Sequence, residues 1–325
     1  MKRRQLLATA LSASASSVVG LPAARAQDGG PPLRLLIGYA VGGPTDMIGR
    51  LIGGEAARLL NRSVIVENLT GASGNLATMA LLKSPPDGNT LLITSLTHNV
   101  NTVLIPEQTR YDPIGDFVPV TQAVTLFQAL IVAYDSPINS VADLLVKART
   151  PGGATYGSAG IGGSSHLAST LLASRSGSNM VHVPFRGNAP AMVEVMAGRV
   201  DFMFFPMVGL QPLVQAKKLK VLAVTTAERR PDYPTVPTMA ESGYPGFERY
   251  SNWIGFMAPR GTPMPVAHNL HRAIRAAMEK DKVKEQLIEL GAGPVGSSPE
   301  EFAAFVADDR KRWTELVATA RIKAE

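Results

Sequence analysis

The stretch Leu35-Leu-Ile-Gly-Tyr-Ala-Val-Gly-Gly-Pro-Thr-Asp-Met-Ile-Gly-Arg50 constrains the fold more than any other part of this 325-residue chain. An apolar run meets a Gly42-Gly43-Pro44 break, and polar residues then open an amphipathic segment, so the order reads strand, loop, helix. Such a junction turns the unpaired N–H groups of the helix's first turn into the loop, at the positive end of the helix dipole. A carboxylate or phosphate is favoured there. A close glycine pair ahead of a helix is chiefly useful where something must approach the main chain. Thr45 reads as an N-cap, and Asp46 lies in the first turn, where an acid suits the dipole.

The same rhythm continues along the chain. After strand 34–39 and helix 45–60 come strand 63–67, a loop over 68–74, helix 75–83 and strand 90–94. Thr94 and Ser95 end that strand and lead into further polar residues, at the sheet edge where ligands collect in open α/β folds. Alternating strands and helices predict a mostly parallel sheet with right-handed crossovers. The extended runs 118–124 and 130–133 have no helix between them and read as a crossing to a second lobe. There the device recurs: strand 155–158 runs into Ala159-Gly-Ile-Gly-Gly-Ser-Ser-His166 and a helix, and strand 180–183 into Pro184-Phe-Arg-Gly-Asn-Ala-Pro190 and another. Ser158, Ser164, Ser165 and His166 are candidate contacts, with Arg186 and Gly187 in the following loop and Asp201 at the start of a strand. Residues 250–257 read as the return crossing, and three amphipathic helices complete the chain. The expected fold is α/β with two lobes, 27–125 plus 252–325 and 126–251, hinged near 124–128 and 249–253.

Residues 1–26 read as an export signal. Lys2-Arg3-Arg4 form a basic start, 6–21 an apolar stretch rich in Ala and Ser, and Ala24-Arg25-Ala26 a small-x-small cleavage site. The paired arginines also fit the twin-arginine pattern. Removing this acid-free segment lowers the formal net charge from +6 to +2, so the mature chain is only mildly basic and nothing argues for nucleic acid. Without cysteine, stability rests on core packing and no lipid-modified Cys is available. A periplasmic protein is expected, cleaved after Ala26.

Most catalytic chemistries fit poorly. The five histidines lie far apart except His268 and His271, which read as lying on a solvated helix face, and no recognised zinc pattern surrounds that pair. Ser164, Ser165 and His166 are adjacent, yet no G-x-S-x-G elbow is present, and neighbours at a helix start point in different directions. A dinucleotide site is the stronger rival, with Glu67 placed for a ribose. The G-x-G-x-x-G order is not met, however, and several Gly/Ser loops are more than one pyrophosphate needs.

Taken together, the chain resembles the extracytoplasmic solute receptors of tripartite tricarboxylate transporters, the Bug or TctC receptors. The resemblance rests on Gly42-Gly43-Pro44-Thr45-Asp46, Val66-Glu67-Asn68 with 71–75, Pro86-Asp87-Gly88, Tyr156 to Gly160 with Ser164 to Leu167, His182 to Gly187, Gly198-Arg-Val-Asp201, 234–243, and Ala258-Pro-Arg-Gly-Thr-Pro263. It implies a type II periplasmic-binding-protein fold, no enzymatic activity, no cofactor and no metal. It also implies a small carboxylated solute (a di- or tricarboxylate, aromatic carboxylate or amino acid) held by main-chain N–H groups, hydroxyls and water. Carried over, the contacts are Gly43, Thr45 and Asp46, then Ser158, Ser164, Ser165 and His166, with Arg186 and Gly187 nearby. Tyr39, Val41 and Ile161 depart from the family's pattern, which commonly has Phe or Pro where Tyr39 and Val41 stand and often Asn where Ile161 stands. Tyr39 places a ring and hydroxyl at the cleft edge and suggests a larger or partly aromatic ligand. The implied partners are membrane permease subunits, with a sensor kinase or a periplasmic NAD(P)-linked oxidoreductase as alternative readings; a monomer is expected.

Overall fold

The computed structural model describes residues 30–185, 187–207, 209–319 and 322. The export-signal reading over 1–26 and the Arg186 contact therefore lie outside the described residues.

The first half of the chain forms β1 (Leu33–Ile37), α1 (Pro44–Leu59), β2 (Val64–Asn68), α2 (Asn75–Leu82), β3 (Thr90–Ser95), α3 (Thr97–Leu104) and β4 (Phe117–Leu126). Next come β5 (Gln128–Ala133), α4 (Val141–Ala148), β6 (Ala154–Ser158), α5 (Ser164–Ser176), β7 (Met180–Pro184) and α6 (Asn188–Met196). They are followed by β8 (Met203–Pro206), α7 (Gln211–Gln215) and β9 (Leu219–Val224). The chain ends with β10 (Asn252–Pro259), α8 (Met264–Met278), α9 (Asp281–Glu289), β11 (Ala292–Pro294) and α10 (Pro299–Thr319).

Six strands make one sheet in the order β11-β4-β10-β3-β1-β2. The strands joined through helices, β2, β1 and β3, run parallel, whereas β10 pairs antiparallel with both β3 and β4. The sheet is thus mixed: a strand that arrives without a crossover helix can enter in the opposite direction. Leu35, Leu36 and Ile37 are all fully buried, as expected of strands covered on both faces. On one face Leu35 and Ile37 pack with Ile48, Ile52 and Ala56 of α1 and Leu270 and Ile274 of α8. On the other, Leu36 and Leu92 join Ala77, Leu81, Phe302 and Trp313.

In the second unit β8, β5 and β9 pair antiparallel, and β6 pairs parallel with β7. A parallel bridge from Tyr156 to Phe202, just ahead of β8, connects the two groups. The chain leaves the first sheet after Leu126, enters the second at Gln128, and rejoins the first at Asn252. One apolar cluster draws side chains from both units, setting Leu96, Val100 and Leu104 of the α3 region with Tyr156, Leu167 and Leu171. Ser140 caps α4, accepting from the Asp143 N–H at 3.1 Å.

Three expectations change. α1 begins at Pro44 with Gly43 as its N-cap, so Thr45 lies inside the first turn; proline's fixed φ makes it the better first helical residue. The polar run after β3, read from sequence only as polar residues at a strand end, forms α3, in which Thr97, His98, Asn99 and Asn101 are buried. Finally, His271 is buried rather than on a solvated face, while His268 is exposed and pairs with Glu300 at 2.8 Å.

Candidate functional site

The loop between β1 and α1 is held from inside. Gly42, at φ +79°, donates its N–H to Asp46 Oδ2 at 2.9 Å, and the Gly43 N–H reaches the Ala40 carbonyl at 3.2 Å. Asp46 is 2% exposed, and its Oδ1 accepts from Arg50 Nε and Asn68 Nδ2, both at 2.8 Å. Burial alone pushes this carboxyl up, but the Gly42 N–H, Asn68 and Arg50 outweigh it and hold it below the usual carboxylate range. Asn68 Nδ2 also donates to the Tyr39 carbonyl at 3.0 Å, so the end of β2 clamps the loop after β1.

Across the molecule the loop between β6 and α5 repeats this turn. Gly162, at φ +75°, donates its N–H to His166 Nδ1 at 3.2 Å, and Gly163 N–H points to the Gly160 carbonyl at 3.4 Å. Gly43 and Gly163 share one backbone conformation, φ −75° and ψ 164° against φ −71° and ψ 159°. Ser165 and Ser158 add to the clamp: Ser165 Oγ accepts the Ala159 N–H at 3.1 Å, and Ser158 Oγ accepts from Gly160 N–H at 3.1 Å. His182 lies 2.6 Å from Ser158 Oγ through Nε2 and packs its ring on His166, centroids 4.3 Å apart. Burial, with His182 beside it, pushes His166 down to about 4, so the ring is neutral at pH 7. Its Nδ1 accepts from Gly162, so its proton sits on Nε2.

Neither helix has a side-chain cap at its N-terminus, and α6, opened by Gly187 at φ +125°, has none either. Their first-turn N–H groups are therefore left for solvent or a ligand. α6 borders the α5 loop, since Asn188 Oδ1 lies 3.5 Å from Ser165 Oγ and the Phe185 N–H donates to the Ser158 carbonyl. α3 spans the space between the two glycine turns. Tyr39 Oη meets Thr97 Oγ1 at its start, and a Cβ on Gly162 would stand 3.2 Å from Leu104 at its end.

The sequence-predicted residues separate into two kinds. Asp46, Thr45, Thr94, Ser95, Ser158, Ser165 and His166 are buried, while Gly43, Ser164 and Gly187 keep partial exposure. Buried side chains and carbonyls take up the N–H groups of the loops themselves, and the first-turn N–H groups of α1 and α5 are what remains beside them. Tyr39 is half-buried with its hydroxyl turned inward, 2.6 Å from Ser95 Oγ, and burial holds its pKa up against the Ser95, Thr97 and Thr94 hydrogen bonds. Asp201 is not brought to this group. Because its strand runs parallel to β6, it meets β6 at the far end, accepting from Thr155 N–H at 2.8 Å and pairing with Lys147 at 2.7 Å. Sequence reasoning missed Asn68, Thr97 and His182; the one signal for Asn68 was a polar pair, Glu67-Asn68, closing an apolar strand.

A family model described as "Tripartite tricarboxylate transporter family receptor" matches residues 48–322. The chain belongs to that receptor family. It is accordingly a solute-binding receptor and not an enzyme. A Pseudomonas sp. (strain P51) protein described as "UPF0065 protein in tcbD-tcbE intergenic region" is 37% identical over 99% of this chain and 96% of its own. Among solved structures, R. palustris Rpa4515 with adipate has a TM-score of 0.81, with 33% identity over 90% of this chain and 98% of that one. MatC from Rhodopseudomonas palustris, with bound malate, gives a TM-score of 0.78 and 32% identity over 88% and 99%. The structure of periplasmic binding protein BugD, with a TM-score of 0.79 and 32% identity over 91% of this chain and 99% of that one, places the receptor in the periplasmic-binding-protein fold.

Proposed function

We propose that this receptor captures a small carboxylated solute, with a dicarboxylate as the first candidate, in a cleft between two lobes, 27–125 plus 252–325 and 126–251. It delivers the solute to the permease subunits of a tripartite tricarboxylate transporter. In this reading residues 1–26 direct export, cleavage follows Ala26, and the receptor works as a periplasmic monomer. The observation that carries the reading is the paired turn: Gly42-Gly43 and Gly162-Gly163 open α1 and α5 with the same backbone and leave both helix starts uncapped. Each end of a dicarboxylate then meets one helix N-terminus. Uncharged N–H donors hold an anion without the grip of a buried ion pair, which suits a receptor that must release its cargo. Adipate and malate, the ligands seen with two solved relatives, are both dicarboxylates, which supports the class.

A thermal-shift screen of the ligand-stripped mature chain tests this. A dicarboxylate at 100 times its dissociation constant adds about 2.7 kcal/mol of stability. Stabilisation by C4–C6 dicarboxylates is the expected result; stabilisation by nucleotides alone overturns the reading.

A further inference from the structure

A cavity of about 240 Å³ lies where the return crossing meets α10, walled by Thr125, Arg249, Ser251, Trp253, Phe305 and Arg312. None of its lining residues belongs to the loops after β1, β3, β6 or β7. Ser251 is 7% exposed, and among the described residues its hydroxyl has no hydrogen-bond partner; the Nε of Arg312 is likewise buried without one. The other nitrogens of Arg312 are occupied, Nη1 by Asp308 and Nη2 by Asp309 at 3.3 Å. Arg249 and Arg312 both line the cavity, and burial, then Arg249, lower the pKa of Arg312. A hydroxyl and an N–H left over in a buried wall call for an acceptor.

The occupant's size and charge follow from the rest of the wall. Trp253 and Phe305 meet edge to face at 5.8 Å and supply an apolar side. The volume is roughly eight times a water molecule's share of the liquid, enough for a small organic acid. Glu248 is the single acid among the lining residues; Arg312 is already paired with Asp308 and Asp309, so Arg249, which has no ion pair among the described residues, is the cation left to meet an anion. We propose that this cavity binds a small monocarboxylate, its carboxylate on Ser251 Oγ, Arg312 Nε and Arg249, and its apolar body against Trp253 and Phe305. Such a ligand ties the return crossing to α10. The assignment stands apart from the solute reading above, because it uses none of the same residues.

Calorimetric titration of benzoate and of inorganic phosphate into the mature chain tests it. Benzoate binds saturably, roughly tenfold more weakly in Arg249→Ala and in Ser251→Ala, the loss expected for one charge-assisted hydrogen bond. Ser165→Ala, which alters the loop after β6, leaves benzoate affinity unchanged. Phosphate, more highly charged and without an apolar body, binds more weakly than benzoate. Absence of saturable benzoate binding, benzoate affinity that both hinge variants leave intact, loss of binding in Ser165→Ala, or phosphate binding as tightly as benzoate overturns the assignment.

Discussion

Asp46 and His166 occupy the same place in two copies of one turn, each four residues after a positive-φ glycine whose N–H it accepts, Gly42 at 2.9 Å and Gly162 at 3.2 Å. The acceptors differ in what else they hold. Asp46 gathers Gly42, Arg50 and Asn68 on one buried carboxylate, whereas among the described residues His166 Nδ1 takes the Gly162 N–H alone. Asp46→Ala therefore strands three donors and His166→Ala one. We expect Asp46→Ala to cost about 2–3 kcal/mol and to weaken solute binding at least roughly tenfold. Asp46→Asn retains an acceptor for Gly42 and restores part of both. Urea unfolding and solute titration of the three variants check this; equal losses in Asp46→Ala and His166→Ala would show that the turns are not held as described.

The glycines of the two turns separate backbone strain from packing. A Cβ on Gly42 meets nothing within 4 Å, so Gly42→Ala adds only the cost of the left-handed conformation, about 1–2 kcal/mol. Gly162→Ala carries the same strain and also sets its Cβ 3.2 Å from Leu104 Cδ1 and 3.6 Å from Val100 Cγ1. Thermal unfolding of the two variants is expected to place Gly162→Ala lower. Gly162→Ala also weakens solute binding more, because it pushes the α5 loop away from α3.

Gly38 has a different constraint. It follows β1, and a Cβ there would lie 2.6 Å from Gly74 Cα and 3.0 Å from the Gly74 carbonyl, where the obstacle is backbone that cannot rotate aside. Gly38→Ala must therefore separate the loops after β1 and β2. We expect a loss of about 2–4 kcal/mol, in the range of severe overpacking. A variant as stable as wild type in urea would contradict the close approach.

How far the sequence revealed this arrangement depends on the range of the interaction. Gly42-Gly43 and Gly162-Gly163 were legible, because a glycine pair between an apolar run and an amphipathic one is a local signal. So were the amphipathic helices of the C-terminal part. The side-chain roles were not. Asp46 sits in a first turn in either reading, and only the partner across the loop, Asn68 from another strand, shows that it fastens the turn. Asp201 misled because position along a strand does not reveal which end faces the site; that follows from the Tyr156–Phe202 pairing. α3 escaped notice because its polar residues are buried by tertiary hydrogen bonds, such as Asn99 to Asp309 at 2.8 Å and Asn101 to Asn75 at 2.9 Å.

Acid stability follows from three buried groups whose effects oppose one another. Burial pushes His98 and His166 from 6.5 down to about 4, the first wedged between Tyr111 and Phe117, the second beside His182. Between those values the unfolded chain binds protons that the folded chain does not, so stability is present above 6.5 and lost as pH falls toward 4. Asp309 works the other way. Burial raises it from 3.8 to about 6, against the hydrogen bonds from Asn99, Trp253 and Trp313, so between these values the folded chain holds a proton that the unfolded chain has lost. Acidification through that window adds stability, and two histidines outweigh one aspartate. The urea midpoint of the wild type is accordingly expected to fall between about pH 7 and about pH 4.5. Asp309→Asn removes the opposing gain and steepens the fall, while His166→Gln makes it shallower. A steeper fall in His166→Gln than in Asp309→Asn would reverse the signs assigned to these two groups.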